Sequence, residues 1–149
     1  MNTGLFANYT RLWSTRIEPT TGQRTTFNAQ PNYVYNFGLT QDIPAIGASF
    51  GFSYRKQGRS RSTFFGEEEF QEYGGNLEAF VEKRIGRNFV LRLTGNNLLD
   101  ARSLQWERNF DGDTGAEIIE NQRAGIVDAF EVEHEETSPQ ISLTARLVF

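Results

Sequence analysis

Apolar side chains return at every second position in six separate runs of this 149-residue chain. Successive side chains of a strand point to opposite faces, so each run reads as a half-buried β-strand. In residues 4–17, Leu5, Ala7, Tyr9, Trp13, Thr15 and Ile17 share a face, interrupted by Arg11. In 31–41, Tyr33, Tyr35, Phe37 and Leu39 oppose Asn32, Asn36, Gly38 and Thr40; in 46–57, Ile46, Ala48, Phe50, Phe52 and Tyr54 oppose Gly47, Ser49, Gly51, Ser53, Arg55 and Gln57. Residues 73–85 alternate Leu77, Ala79, Val81 and Ile85 with Asn76, Glu78, Glu82 and Arg84, while Phe80 and Lys83 fall on the wrong sides. Residues 89–98 set Phe89, Leu91 and Leu93 against Arg92, Thr94 and Asn96, and 139–149 set Ile141, Leu143, Ala145, Leu147 and Phe149 against Gln140, Ser142, Thr144 and Arg146.

The connections alternate in length: long (18–29), short (42–45), long (58–72), short (86–88), long (99–138). The segment 58–72 reads as a polar, charged loop. The last connection has little period, apart from a helix-like run at 116–121 and an alternation around Phe130 and Val132 that suits a ribbon. Short turns on one rim and long loops on the other are the pattern of an outer-membrane barrel, and runs of roughly 10 residues match a tilted bilayer crossing. The polar face is rich in glycine and the other in aromatic rings, which puts the oily side toward lipid. The expected fold is therefore all-β, an antiparallel up-and-down meander of about six to eight long strands forming the C-terminal segment of a transmembrane β-barrel.

Composition changes the picture little. No window reaches the roughly 18 consecutive apolar residues of a membrane helix, whereas barrel strands need apolar residues only at alternate positions. A net charge of −4 and a pI near 5.1 speak against a nucleic-acid partner. The absence of cysteine suits a cell-envelope protein and equally a cytosolic one. The first residues, Met1-Asn2-Thr3-Gly4, lack the basic flank and apolar run of an export signal, so the chain is expected to be a fragment of a longer precursor.

Gly95-Asn96-Asn97-Leu98-Leu99-Asp100 resembles the N-L-(F/L)-D motif near the end of TonB-dependent outer-membrane receptors. The preceding 89–94, the following Asp111-Gly112-Asp113-Thr114-Gly115-Ala116-Glu117 and the terminal Phe149 look like the same family, and the resemblance covers most of the chain. It implies a barrel of about 22 strands closed by a plug, importing a scarce nutrient such as a siderophore, vitamin or oligosaccharide. It also implies that the motif follows the third-from-last strand, so that a further strand lies near 101–109. Ile141, Leu143, Ala145, Leu147 and Phe149 resemble the signal read by the barrel-assembly machinery. Implied partners are outer-membrane lipid, that machinery, an extracellular small-molecule ligand, and the TonB complex through N-terminal parts that this sequence does not contain.

Candidate chemistry is sparse. Asp113-Thr114-Gly115 copies the aspartic-protease triplet, but that chemistry needs two carboxylates sharing a proton; no catalytic residue is expected. Asp111, Gly112 and Asp113 hint at calcium, yet the EF-hand spacing is not met; an acidic solvated loop is the plainer reading. His134 is the lone histidine and reads as an exposed polar side chain. No cofactor and no metal are expected. Arg55, Arg84, Arg92 and Arg146 fall on the inward face, where a ladder of charges with Glu78 and Glu82 is expected. Glu67, Glu68 and Glu69 read as a solvated face. Arg55, Arg59, Arg61, Trp106 and Arg108 are the candidates to touch an anionic or ring-bearing ligand. The rival reading is a soluble all-β ligand-binding module, which would bury Tyr33, Tyr35, Phe37, Phe50, Phe52 and Tyr54.

Overall fold

The computed structural model describes residues 2–147. Its strands form two main antiparallel sheets. The first is a meander of six, ordered β1 (Asn2–Arg11), β4 (Tyr33–Ile43), β5 (Ala48–Gln57), β8 (Asn76–Ile85), β9 (Phe89–Asn96) and β12 (Gln140–Leu147). The second has four: β6 (Ser60–Phe64), β7 (Glu67–Tyr73), β10 (Arg102–Asn109) and β11 (Ala129–Glu136), in the order β11-β10-β7-β6. Two short strands, β2 (Arg16–Ile17) and β3 (Arg24–Thr25), pair in the first loop, and one helix, α1 (Gly115–Ala124), precedes β11.

The second sheet prolongs the first. β5 and β8 continue past a break into β6 and β7, and β9 and β12 continue into β10 and β11. The connections 58–72 and 99–138 are thus extended hairpins rather than loops, which corrects the reading of 58–72; Glu-rich β7 is held as a strand because it is paired on both sides, with β6 and β10. β10 does not cross back: it continues outward from β9, and β9 pairs directly with β12. The Asn97-Leu98-Leu99-Asp100 string therefore follows the next-to-last strand of the six, not the third-from-last. β1 also ends earlier than its alternation suggests, at Arg11, where its partner β4 begins at Tyr33.

Register places the alternation on two continuous faces. One lateral row reads Leu5, Leu39, Phe52, Ala79, Gly95, Ile141, and the next Thr3, Gln41, Phe50, Val81, Leu93, Leu143. The opposite face carries Asn8, Asn36, Arg55, Asn76 in one row and Gly4, Thr40, Gly51, Phe80, Thr94, Ser142 in another. None of the described residues covers the apolar face. Phe37 is 44 % exposed and Phe50 40 %, and among the described residues only Val90 and Phe110 are buried apolar side chains. The rings do not gather in a sealed centre.

Small residues on the polar face serve close packing. The Phe6 ring lies over Gly38 and the Phe80 ring over Gly51, where an added Cβ would sit 2.8 Å from that ring and 2.7 Å from the Leu39 carbonyl. At the opposite rim from the extended hairpins the turns are tight: a single 3-10 turn, Pro44–Ile46, ends on left-handed Gly47, and 86–88 turns through left-handed Gly86.

The polar exceptions on the apolar face are bonded internally. The Thr3 hydroxyl donates to Gln41 Oε1, and Gln41 Nε2 donates to the carbonyls of Asn2 (3.0 Å) and Asp42 (3.1 Å). Lys83 reaches the carbonyl of Ile46 in the adjacent turn. At the other end of the face stand Tyr9, Tyr35 and Lys56 in one row and Arg11 and Tyr33 in the next. On the polar face, Arg92 pairs with Glu82 at 3.5 Å and lies 3.9 Å over the Phe80 ring. Arg55, Arg84 and Arg146 have no carboxylate partner among the described residues, so the expected ladder of charges is one rung.

Candidate functional site

The breaks between the two sheets fall at one level and are tied together by Asn97. This residue has φ +52°, a left-handed conformation that Asn tolerates better than most side chains. Its Oδ1 accepts from Ala101 N–H at 2.8 Å, its Nδ2 donates to the carbonyls of Ala101 (3.3 Å) and Thr137, and its own N–H donates to Asn76 Oδ1 at 3.3 Å. The side-chain amide of Asn97 thus joins the β9–β10 and β11–β12 breaks, and its backbone N–H ties them to β8. Leu98 turns back over Gly95, and its N–H reaches the Leu77 carbonyl at 3.0 Å.

A cleft of about 550 Å³ opens beside this junction. Arg55, Gln57 and Asn76 line it from the polar face of the first sheet, Tyr73, Ser103 and Glu135 from the second. Arg55 is the one ligand-contact candidate found there.

The other four candidates meet on the second sheet. Trp106 and Phe70 are register partners whose rings stack at 5.4 Å with planes 5° apart. Arg59 lies 4.6 Å over Trp106; Arg61 and Arg108 lie 5.5 and 5.2 Å from the Phe70 ring. Carboxylates hold these guanidiniums in turn: Arg59 pairs with Glu72 at 3.4 Å, Arg61 with Glu68, and Arg108 with Glu68 at 3.9 Å. Glu68 is 5 % exposed, so it is not part of a solvated acidic face. Its neighbours point the other way. Glu69, Glu107 and Glu131 stand in one lateral row, and Glu67 beside them is pushed above the ordinary carboxylate value by burial and then by repulsion from Glu107, Glu69 and Glu131. Phe70, Glu68 and Glu72 were not legible as site residues. Their signal was the alternation Glu68, Phe70, Glu72 opposite Glu67, Glu69, Gln71, which marks a two-faced strand.

A second groove, of about 520 Å³, lies between the first loop and β6. The chain from 28 to 32 runs along the free edge of β6: Ala29 N–H donates to the Arg61 carbonyl (3.2 Å), Asn32 N–H to the Arg59 carbonyl (3.3 Å), and Asn28 exchanges bonds with Thr63. This covers an edge that would otherwise offer unpaired backbone. Arg59, Arg61 and Phe70 form one wall; Trp13, Arg24 and Gln30 come from the loop.

The remaining motifs are architectural. Asp113-Thr114-Gly115 opens α1: Thr114 Oγ1 accepts from Glu117 N–H at 3.2 Å, and the Glu117 carboxylate accepts from Asp113 N–H at 3.0 Å. Gln122, 2 % exposed, caps the β6–β7 turn through the carbonyl of Phe64 (2.8 Å) and the N–H of Gly66 (3.1 Å). Arg123 bonds the Thr21 carbonyl in the first loop. His134 sits exposed on β11 opposite Leu104. No group of His, Cys, Asp or Glu among the described residues has the arrangement to hold a metal ion. Ile141, Leu143, Ala145 and Leu147 line the apolar side of edge strand β12, while Phe149 lies outside the described residues.

Comparison of the chain with protein-family models, with curated proteins and with solved structures finds no match.

Proposed function

We propose that this chain is the C-terminal wall of a TonB-dependent outer-membrane receptor, the parent protein taking up a scarce nutrient. The observation that carries the proposal is the apolar face of the six-stranded sheet. It is uncovered across all six strands, and its charged residues stand at its ends: Arg11 and Lys56 beside tyrosines at one, Lys83 at the other. Lys56 and Ala48, the register partner of Lys83, are eight residues apart on β5, roughly 27 Å of strand at the usual rise. At barrel tilt that is about 20 Å of height, near the ~25 Å apolar band of outer-membrane barrels. Within the band, Thr3 and Gln41 satisfy each other and nearby carbonyls, as hydrocarbon demands.

The free edges β1 and β12 would pair with further strands of the same wall, since small barrels begin at about 8 strands and an open edge in lipid leaves backbone groups unpaired. The second sheet would then stand outside the membrane as rigid extracellular hairpins that present ligand-binding residues. Ile141, Leu143, Ala145, Leu147 and Phe149 would serve as the assembly signal. A soluble binding module would have to enclose Phe37, Phe50 and Phe52, which lie open.

The chain has no cysteine, which makes the test direct. Single cysteines at Leu39, Phe52 and Val81 in the full-length protein should resist a charged thiol reagent in native membranes, while those at Thr40, Ser53 and Glu82 react. Equal labelling of both sets, or recovery of the protein in the soluble fraction, would defeat the proposal.

A further inference from the structure

The groove between the first loop and β6 has a composition that singles it out. Among the described residues no acidic side chain lines it, although the chain carries 19 Asp and Glu against 15 Lys and Arg. Three guanidiniums do: Arg24, Arg59 and Arg61. Arg59 and Arg61 are matched by Glu72 and Glu68, whereas Arg24 has no carboxylate partner among the described residues. Among the groove's own guanidiniums this leaves the charge of Arg24 unmatched, with Arg108 sharing Glu68 from outside the groove. Arg61 also keeps a buried Nε–H without an acceptor among the described residues, a donor whose desolvation is not offset.

The groove is also built for a flat ring. Trp13 is 80 % exposed in its mouth, an arrangement that leaves a large π-face with no protein neighbour. Phe70, stacked on Trp106, stiffens the opposite wall. Gln30 adds an amide that can bond hydroxyl substituents. The volume lies within the ~300–1,000 Å³ of small-molecule sites.

We infer that this groove binds a singly charged aromatic carboxylate, its ring against Trp13 and Phe70 and its carboxylate on Arg24 and Arg61. The site stands on its own geometry and does not depend on the membrane proposal. A single unmatched guanidinium favours a monoanion over a doubly charged phosphate, and the exposed indole favours a ring over a small aliphatic acid.

The test is calorimetric titration of the full-length protein in neutral detergent with 2-naphthoate, 2-naphthalenemethanol, 2-naphthyl phosphate and acetate. Of the chain's two tryptophans, Trp13 lines the groove and Trp106 stacks on Phe70 of its wall, so tryptophan fluorescence gives a second readout. Saturable binding of 2-naphthoate is expected, at least tenfold tighter than the uncharged alcohol, the phosphate or acetate. Arg24→Gln, at an exposed position, should weaken it at least tenfold with an unchanged circular dichroism spectrum, and Trp13→Ala should do the same by calorimetry. Equal affinity for the alcohol, tighter binding of the phosphate, no saturable binding of naphthoate, or an Arg24→Gln variant that binds as well as the parent would each overturn the inference.

Discussion

The Thr3 hydroxyl donates to the Gln41 amide oxygen across β1 and β4, on the apolar face of the six-stranded sheet and two residues from the end of β4. Gln41 is 7 % exposed. A buried amide that loses one partner keeps its full desolvation cost, whereas removing both partners together is close to neutral. Thr3→Val should therefore destabilise the protein by about 1–3 kcal/mol, and Thr3→Val with Gln41→Leu should recover much of the loss. Denaturant midpoints of the two variants in detergent check this; an additive double variant would show that the pair is not coupled.

Asn97 holds a left-handed backbone and ties the β9–β10 and β11–β12 breaks through its side chain. Asn97→Gly keeps the backbone and loses the bonds; Asn97→Ala loses both. Alanine should cost more than glycine by about 1–2 kcal/mol, the penalty of a Cβ in that conformation. Thermal or denaturant unfolding distinguishes them, and an alanine variant no worse than glycine would argue against the backbone requirement.

Gly38 sits beneath the Phe6 ring and against the Phe52 carbonyl, so a methyl group there meets backbone as well as a movable ring. Gly38→Ala should destabilise by roughly 1–3 kcal/mol as an overpacking change. Adding Phe6→Ala should relieve only part of it, because the carbonyl cannot move aside. Full rescue by Phe6→Ala would show that the ring alone sets the requirement.

Glu67 has its pKa raised above its ordinary 4.5 by burial and by Glu107, Glu69 and Glu131. The folded state then holds the proton to higher pH than the unfolded chain, so stability falls as pH rises from the ordinary value through the folded one. Below that window the group contributes nothing. Glu67→Gln should raise the denaturant midpoint at pH 7 and leave it nearly unchanged at pH 4; a stabilisation of the same size at both would assign the effect to something other than the carboxylate's charge.

Thr114 accepts the N–H of Glu117 at the start of α1. Thr114→Ala should cost about 1 kcal/mol of helix stability and, because Gln122 and Arg123 of that helix hold the β6–β7 turn and the first loop, should also speed amide exchange at Gly66. Exchange at Gly66 matching the parent would uncouple the helix from the hairpin tip.

Much of this architecture was legible in the residues. Period-two alternation from Tyr33 to Leu39 and from Ile141 to Leu147 determined which side chains share a face, because the pleat leaves no other choice. Even the exceptions, Phe80 on the polar side and Lys83 on the apolar side, stand where the alternation places them. The helix over 115–124 was visible as the helix-like run 116–121, and the ribbon at 129–136 through Phe130 and Val132.

What the alternation left open was pairing. The run Glu67–Glu69 looks like a solvated loop when read alone, since nothing local says that Arg61 and Arg108 will arrive from two other strands to bury Glu68. In the same way nothing in Arg102–Asn109 says whether the strand crosses back or continues outward; its bonds to β7 and β11 decide that. Alternation is a property of neighbours in the chain, but ion pairs, ring stacks and grooves such as that of Trp13, Arg24 and Arg61 depend on partners dozens of residues away. Those contacts exist only once the first loop lies along β6 and the two extended hairpins lie side by side, and so they belong to the tertiary structure alone.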